Sequence, residues 1–283
     1  MNNFSIHLPH PVLQPYVKLY SILRLDADTH LDTIFTPSMN TGLLFHFGGN
    51  HSAISNSFIN SQEKGKYTFN QNELWLCGMH TEPIHSTTSS TVCALNAICT
   101  PLGIYHLLKD SPKVILNGGG AFSDVNIHKN FDGLIDKLQE SKTDKEALQL
   151  VDSHLLNYFS RLKIPFSVKD MTPVSEYITK HNGMVKIKQL EGKFRVSCRW
   201  LEKQFDEQIG LSPKEFARIT RFQALLAQAN VLPTLSIGAL IETFGYTDYS
   251  HLRKDFNAYT GQTPKQFFKD KQPSLNSVYY TDL

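Results

Sequence analysis

Apolar positions recur at helical spacing near the C-terminal end of the chain, in a pattern that is used twice. Ile187, Leu190 and Phe194 are followed across a short break by Leu201 and Phe205; Ile237, Leu240, Ile241 and Phe244 are followed by Leu252 and Phe256. Laid side by side at an offset of 51, residues 197–218 and 248–269 coincide at Leu201/Leu252, Lys203/Lys254, Phe205/Phe256, Gly210/Gly261, Pro213/Pro264, Lys214/Lys265 and Phe216/Phe267. Upstream the offset is 50, at Ile187/Ile237, Leu190/Leu240 and Phe194/Phe244. One residue has therefore been gained inside a short turn, where insertions are tolerated best. Internal similarity of this kind means that one structural unit has been built twice.

The pattern predicts a helix, a tight turn and a second helix in each unit. The turns are Arg195-Val196 and Gly245-Tyr246-Thr247, and Ser197 and Asp248 can each accept a backbone N–H and start the second helix. Gly210 and Gly261 end it, because glycine takes the left-handed conformation without steric cost. Ser212-Pro213-Lys214-Glu215 and Thr263-Pro264-Lys265-Gln266 read as capping boxes with proline at the first helical position, so a further helix begins at once.

The inward-turned residues leave a polar face on each second helix. In the first unit it carries Arg199, Glu202, Lys203 and Gln204; in the second, Tyr249, Ser250, Arg253 and Lys254. A polar helix presented by a bracing helix across a short turn is the helix-turn-helix arrangement that enters the DNA major groove. Arg and Lys suit guanine O6 and N7, and Glu202 suits a cytosine amino group. Taken singly, either face also reads as an ordinary solvated surface; two copies in register favour double-stranded DNA as the partner.

Residues from about 172 to 270 resemble the DNA-binding domain of AraC/XylS-type bacterial transcription regulators. The resemblance is carried by Gly210-Leu211-Ser212-Pro213, by Phe216 to Phe222, by Ser236-Ile237, by Gly245-Tyr246-Thr247-Asp248, by Phe256 and by Gly261-Gln262-Thr263-Pro264. It implies two helix-turn-helix units joined by one long helix, with recognition helices in successive segments of the major groove. The joining helix would run from Pro213 to about Ala229, roughly 25 Å at 1.5 Å per residue. Base contacts would come from Arg199, Glu202, Lys203, Tyr249, Ser250, Arg253 and Lys254. Phosphate contacts would come from Arg195, Ser197, Arg218, Arg221, Thr247 and Lys265. The family usually has alanine in the first bracing helix and glycine in the first turn, where this chain has Glu191 and Arg195; the corresponding small residue of the second unit is Ile241.

The preceding part of the chain has a different texture. Short apolar runs at Tyr20–Leu25, Thr41–Phe47, Lys66–Asn70, Glu73–Gly78 and Thr91–Ile98 are broken by turn residues and read as strands of a sandwich or barrel. The resemblance implies a cupin-like, effector-binding domain over residues 1–128, matched more loosely than the C-terminal part. A ligand pocket there would use Phe45, His46, Phe47, Trp75, His80 and Tyr105; these are equally readable as core side chains. Gly118-Gly119-Gly120 reads as a flexible turn. Residues 129–164 hold two predicted helices, 130–140 and 144–161. In the second, Leu148, Val151, Leu155, Tyr158 and Leu162 form a stripe that packs on its own domain or, as in the family, makes a homodimer interface. Residues 165–171 read as a linker and 271–283 as a tail. The fold class is α+β, an N-terminal barrel or sandwich with a helical segment and an all-α C-terminal domain.

Composition adds a sign to this division. The chain has 283 residues and a formal net charge of +2, but residues 1–171 carry 13 Lys and Arg against 15 Asp and Glu, while residues 172–270 carry 14 against 10. The positive excess lies on the segment that would meet DNA. The opening residues lack an apolar stretch behind a basic start and no apolar run is long enough to span a bilayer, so a cytoplasmic protein with no membrane partner is expected. Cys77, Cys93, Cys99 and Cys198 form no CxxC pair and read as free thiols, Cys198 at the start of a recognition helix.

No GxSxG, HExxH or P-loop pattern occurs, and no enzyme activity, cofactor or metal site is expected. His46, His51, His80 and His85 lack the close His-x-His spacing of metal-binding cupins. The expected function is a DNA-binding transcription regulator, with a small-molecule effector and RNA polymerase as possible partners. The alternatives are a cupin-type metalloenzyme with an appended DNA-binding domain and an architectural DNA binder without ligand response.

Overall fold

A computed structural model describes residues 3–26, 31–47, 53–59, 62–69, 74–88, 91–121, 131, 133–162, 170–232 and 236–269. The N-terminal part is built from two antiparallel sheets. Strands β1 (Asn3–His7), β2 (Val17–Leu25), β4 (Thr41–His46), β7 (Leu74–Cys77), β9 (Val92–Cys99) and β10 (Gly119–Ala121) form one in the order β1-β2-β9-β4-β7-β10. The other has the order β3-β8-β5-β6, with β3 at Leu31–Phe35, β5 at Ala53–Ile59, β6 at Gln62–Phe69 and β8 at Ile84–Thr88. The central strand β9 is buried along nearly its whole length, so its sequence, VCALNAIC, is a continuous apolar run broken by Asn96 rather than an alternation. The glycine run expected as a flexible turn is partly strand: Gly119, Gly120 and Ala121 pair with Cys77, Leu76 and Trp75. Backbone pairing needs no side chain, which is why the residue types did not announce it.

Three helices cover one face of the larger sheet: α1 (Pro101–Leu108), α2 (Leu134–Glu140) and α3 (Asp144–Ser160). Leu43, Phe45 and Leu95 of the sheet share one buried cluster with Ile104 and Leu107 of α1, Leu138 of α2, and Val151, Leu155 and Phe159 of α3. Polar ties fix α3 further: the Tyr20 hydroxyl donates to Asp152 Oδ1 at 2.9 Å, and Arg24 Nε donates to Asp144 Oδ1 at 2.8 Å. The predicted stripe is consumed here. Val151 and Leu155 are fully buried in the chain's own core, with Leu148, Tyr158 and Leu162 half-covered at its edge. The expected dimer surface on α3 is therefore packed against its own domain.

The C-terminal part is entirely helical, with α4 at Thr172–Lys180, α5 at Ile187–Phe194, α6 at Cys198–Gln208 and α7 at Pro213–Val231. Then follow α8 at Ile237–Thr243, α9 at Tyr249–Thr260 and α10 at Pro264–Lys269. A second buried cluster runs through Ile178, Leu190, Leu201, Phe205, Phe222, Leu240, Phe244 and Phe256, and it takes in Met79 from the sheet domain. Among the described residues no helix is long and apolar enough to cross a membrane. Residues 165–169 of the expected linker and the expected tail at 271–283 lie outside the described residues.

The helical part is seated on the sheet part through α6. The 3-10 turn Pro112–Ile115 lies against its C-terminal end: Ser111 Oγ donates to the Asp206 carbonyl at 2.5 Å, and Lys113 Nζ lies 2.9 Å from Asp206 Oδ1. Gly210 makes this approach feasible. Its φ is +83°, and a Cβ there would stand 2.5 Å from the Lys113 nitrogen and 2.9 Å from the Pro112 carbonyl carbon. A second contact comes from α7, whose Gln223 Nε2 donates to the Pro37 carbonyl at 2.9 Å.

Candidate nucleic-acid interface

The two repeated units close their turns in the same way. In the first, the Val196 N–H donates to the Glu191 carbonyl at 3.2 Å; in the second, Tyr246 N–H donates to the Ile241 carbonyl at 2.9 Å. Both turns need one left-handed residue. The second has Gly245 at φ +62°, whereas the first has Arg195 at φ +53°. Each following helix starts on a side-chain cap. Ser197 Oγ accepts from the Trp200 N–H at 3.2 Å, and Asp248 Oδ1 accepts from the His251 N–H at 2.8 Å. Glu191 adds a cap to the first unit, its Oε1 accepting from the Cys198 N–H at 2.5 Å. The carboxylate thus binds the start of α6, a use that the departure from alanine at this position did not disclose. Partial burial, with Glu202 and Glu191 beside it, pushes the Cys198 thiol up.

Leu201 and Phe205 of α6, and Leu252 and Phe256 of α9, are fully buried. Arg199, Glu202 and Lys203 on α6 and Ser250, Arg253 and Lys254 on α9 are exposed, and Tyr249 is half-buried. Lys203 makes a long ion pair of 3.6 Å with Glu207 one turn on, and both side chains are well solvated. Such a pair contributes well under 1 kcal/mol and leaves the ammonium free to exchange partners. Arg195, Ser197, Thr247 and Lys265 are also exposed, beside the helix starts where N–H groups favour anions.

Two of the residues expected at phosphates have another role. Arg218 Nε donates to Asp255 Oδ1 at 2.9 Å, its Nη2 lies 2.7 Å from the same oxygen, and Arg221 Nη2 lies 3.4 Å from Oδ2. The Tyr246 hydroxyl donates to that second oxygen at 3.0 Å. The Asp255 side chain is 1% exposed and that of Arg221 17%. The guanidinium of Arg221 also sits 4.2 Å from the centroid of the Tyr246 ring. Arg221 is therefore turned into the protein and is corrected from a phosphate contact to a partner of Asp255. Arg218 shares that task while staying 39% exposed. Sequence reasoning passed over Asp255; its signal was a carboxylate adjoining the core residue Phe256, with two arginines one helical turn apart on α7.

The six residues expected to line a ligand pocket do not converge. In the sheet, Phe45 pairs with Leu74 and Leu44 with Trp75, so Phe45 and Trp75 project from opposite faces. Phe45 and Phe47 belong to the cluster under the helices, and His46, between them, points the other way. Tyr105 is on α1, and His80 stands apart, its backbone paired with Ser38 by two bonds of 2.9 Å. Burial lowers the His80 pKa to about 4. Among the described residues no three His, Cys, Asp or Glu side chains gather closely enough to hold a metal ion. His51 lies outside the described residues.

Residues 190–270 match a helix-turn-helix domain family, and residues 5–118 match a domain of unknown function (DUF6597). Among solved structures, ToxT from Vibrio cholerae is similar at a TM-score of 0.47 and 11% identity, over 94% of this chain and 98% of that one. A structure of fatty-acid-bound ToxT gives 0.47 and 10%, over 95% and 96%. The AraC-like transcriptional activator CuxR gives 0.27 and 10%, over 80% and 87%. No curated protein matches the sequence. Residues 190–270 are thus similar to a helix-turn-helix domain family over the stretch that holds both repeated units.

Proposed function

We propose that the chain is a sequence-specific transcription regulator whose helices α6 and α9 enter successive segments of one major groove. The observation behind this reading is that two units with the same turn, cap and buried pair present exposed polar faces, and that one helix, α7, joins them. Arg199, Glu202 and Lys203 read the first segment; Tyr249, Ser250, Arg253 and Lys254 read the second. Arg195, Ser197, Thr247 and Lys265 meet phosphates, joined by the exposed edge of Arg218. Phosphate contacts set position and salt dependence, and base contacts set sequence.

The seating of α6 on the turn 112–115 gives the sheet domain a mechanical hold on the first recognition helix, and an effector response is proposed to act through that hold. Selection of bound sequences from random duplex DNA, followed by footprinting, tests the reading. Two protected half-sites about 10 base pairs apart are expected. Absence of affinity for any duplex at low ionic strength would overturn it.

A further inference from the structure

We propose that the cleft between the C-terminal ends of α1 and α3 binds a small oxyanion, a phosphate or a small carboxylate. The cleft has a volume of about 170 Å³ and is lined by Lys109, His154, Asn157, Tyr158, Arg161 and Leu162. Spacings of three and four put His154, Asn157, Tyr158 and Arg161 on one side of the end of α3. Lys109 faces them from the end of α1, where it holds a left-handed conformation, φ 55° and ψ 24°, that glycine usually fills. Its neighbour Asp110 accepts from the Ser111 N–H at 2.7 Å and forms no ion pair with Lys109. Among the described residues no carboxylate forms an ion pair with Lys109 or Arg161.

The sign of the site follows from its charges. Two helix C-termini each contribute about half a negative charge. Lys109 and Arg161 contribute two full positive charges and place both on the two walls of the cleft, while the exposed Asp110 carboxylate points to the Ser111 N–H. Asn157 adds amide donors, and the planar fork of Arg161 matches two oxygens of one carboxylate or phosphate. The volume falls below the roughly 300 Å³ at which pockets for drug-sized ligands begin. A small, highly charged group fits that description, and an apolar effector does not. Only a few residues separate Lys109 from Ser111 and Lys113, which hold Asp206 of α6, so an occupant sits next to the domain contact.

This assignment does not depend on the DNA-binding reading. The test is thermal unfolding of the full chain in inorganic phosphate, in citrate and in chloride at matched ionic strength. A ligand that binds only the folded state raises the melting temperature saturably. Such a rise with phosphate, citrate or both is expected, and which of the two is tighter identifies the source. Arg161→Gln and Lys109→Gln should each weaken the apparent affinity about tenfold or more, while Lys137→Gln, at an exposed position of α2 outside the cleft, should leave it unchanged. No rise beyond chloride, or an equal rise in Arg161→Gln and wild type, overturns the proposal. Where a variant fails to fold, a wild-type crystal soaked in selenate decides: an anomalous peak between Lys109 and Arg161 supports the site, and its absence overturns it.

Discussion

Arg218 and Asp255 tie α7, the helix that joins the two units, to α9, the second helix of the second unit, Nε to Oδ1 at 2.9 Å. Because Asp255 is 1% exposed and is also reached by Arg221 and Tyr246, one carboxylate fixes α9 against α7 at two points and against its own turn at a third. Replacing it with alanine leaves two arginines without their counter-charge. Breaking a buried pair from one side costs about 3–5 kcal/mol, and the partial exposure of Arg218 places Asp255→Ala at about 2–4 kcal/mol. Chemical denaturation measures the loss. Asp255→Asn, which retains the hydrogen-bonding shape, should cost less.

Arg195 occupies a left-handed turn position that its counterpart fills with Gly245. That conformation costs a non-glycine residue about 1–2 kcal/mol, and glycine returns part of the gain through the greater freedom of the unfolded chain. Arg195→Gly should therefore stabilise the fold by about 0.5 kcal/mol. On the proposed reading, in which Arg195 meets a phosphate, the same change should weaken binding to all duplexes and flatten the salt dependence. Opposite signs in stability and affinity would separate the two roles of this residue.

Base reading and phosphate contact predict different behaviour at two exposed cations. Arg199→Ala should cost about 1–3 kcal/mol on the selected site and relax preference at one base pair. Lys265→Ala should weaken all sequences alike and lower the salt slope by about one unit. Titrations on matched and scrambled duplexes at several salt concentrations check both, and an Arg199→Ala variant with unchanged preference would remove α6 from the reading role.

His80 supplies a pH dependence. Burial lowers its pKa from the ordinary 6.5 to about 4, so the unfolded chain takes up the proton first. Between those values the unfolded state binds more protons, and stability falls as pH drops from about 6.5 toward 4. The loss should not exceed about 3.5 kcal/mol at one histidine shifted from 6.5 to about 4. His80→Phe should remove most of this slope in denaturation measured across the interval.

How far the sequence led depends on how local the determining physics is. Caps, turns and core positions of the helical units depend on residues within a few places of one another, and Ser197, Asp248, Leu201 and Phe256 stand where the pattern put them. The Asp255 node depends on arginines 34 and 37 residues away, so a carboxylate beside the core residue Phe256 marks its place but not its partners. In the sheet domain β9 was readable as an apolar run, but α1 was not foreseen; its proline start and Thr100 cap lie directly behind a strand. The residues of the expected pocket stand apart for a simpler reason. Adjacent residues on a strand project to opposite sides, so the run Phe45-His46-Phe47 could never line one wall.

Helix α7 runs unbroken for 19 residues, about 28 Å, from the end of one unit to the approach of the next. A rod of that kind cannot stretch or swivel to suit its target. If the proposed reading holds, half a helical turn of DNA inserted between the half-sites would carry the second onto the far side of the duplex and leave only one helix engaged. A whole turn would restore the phase but not the reach.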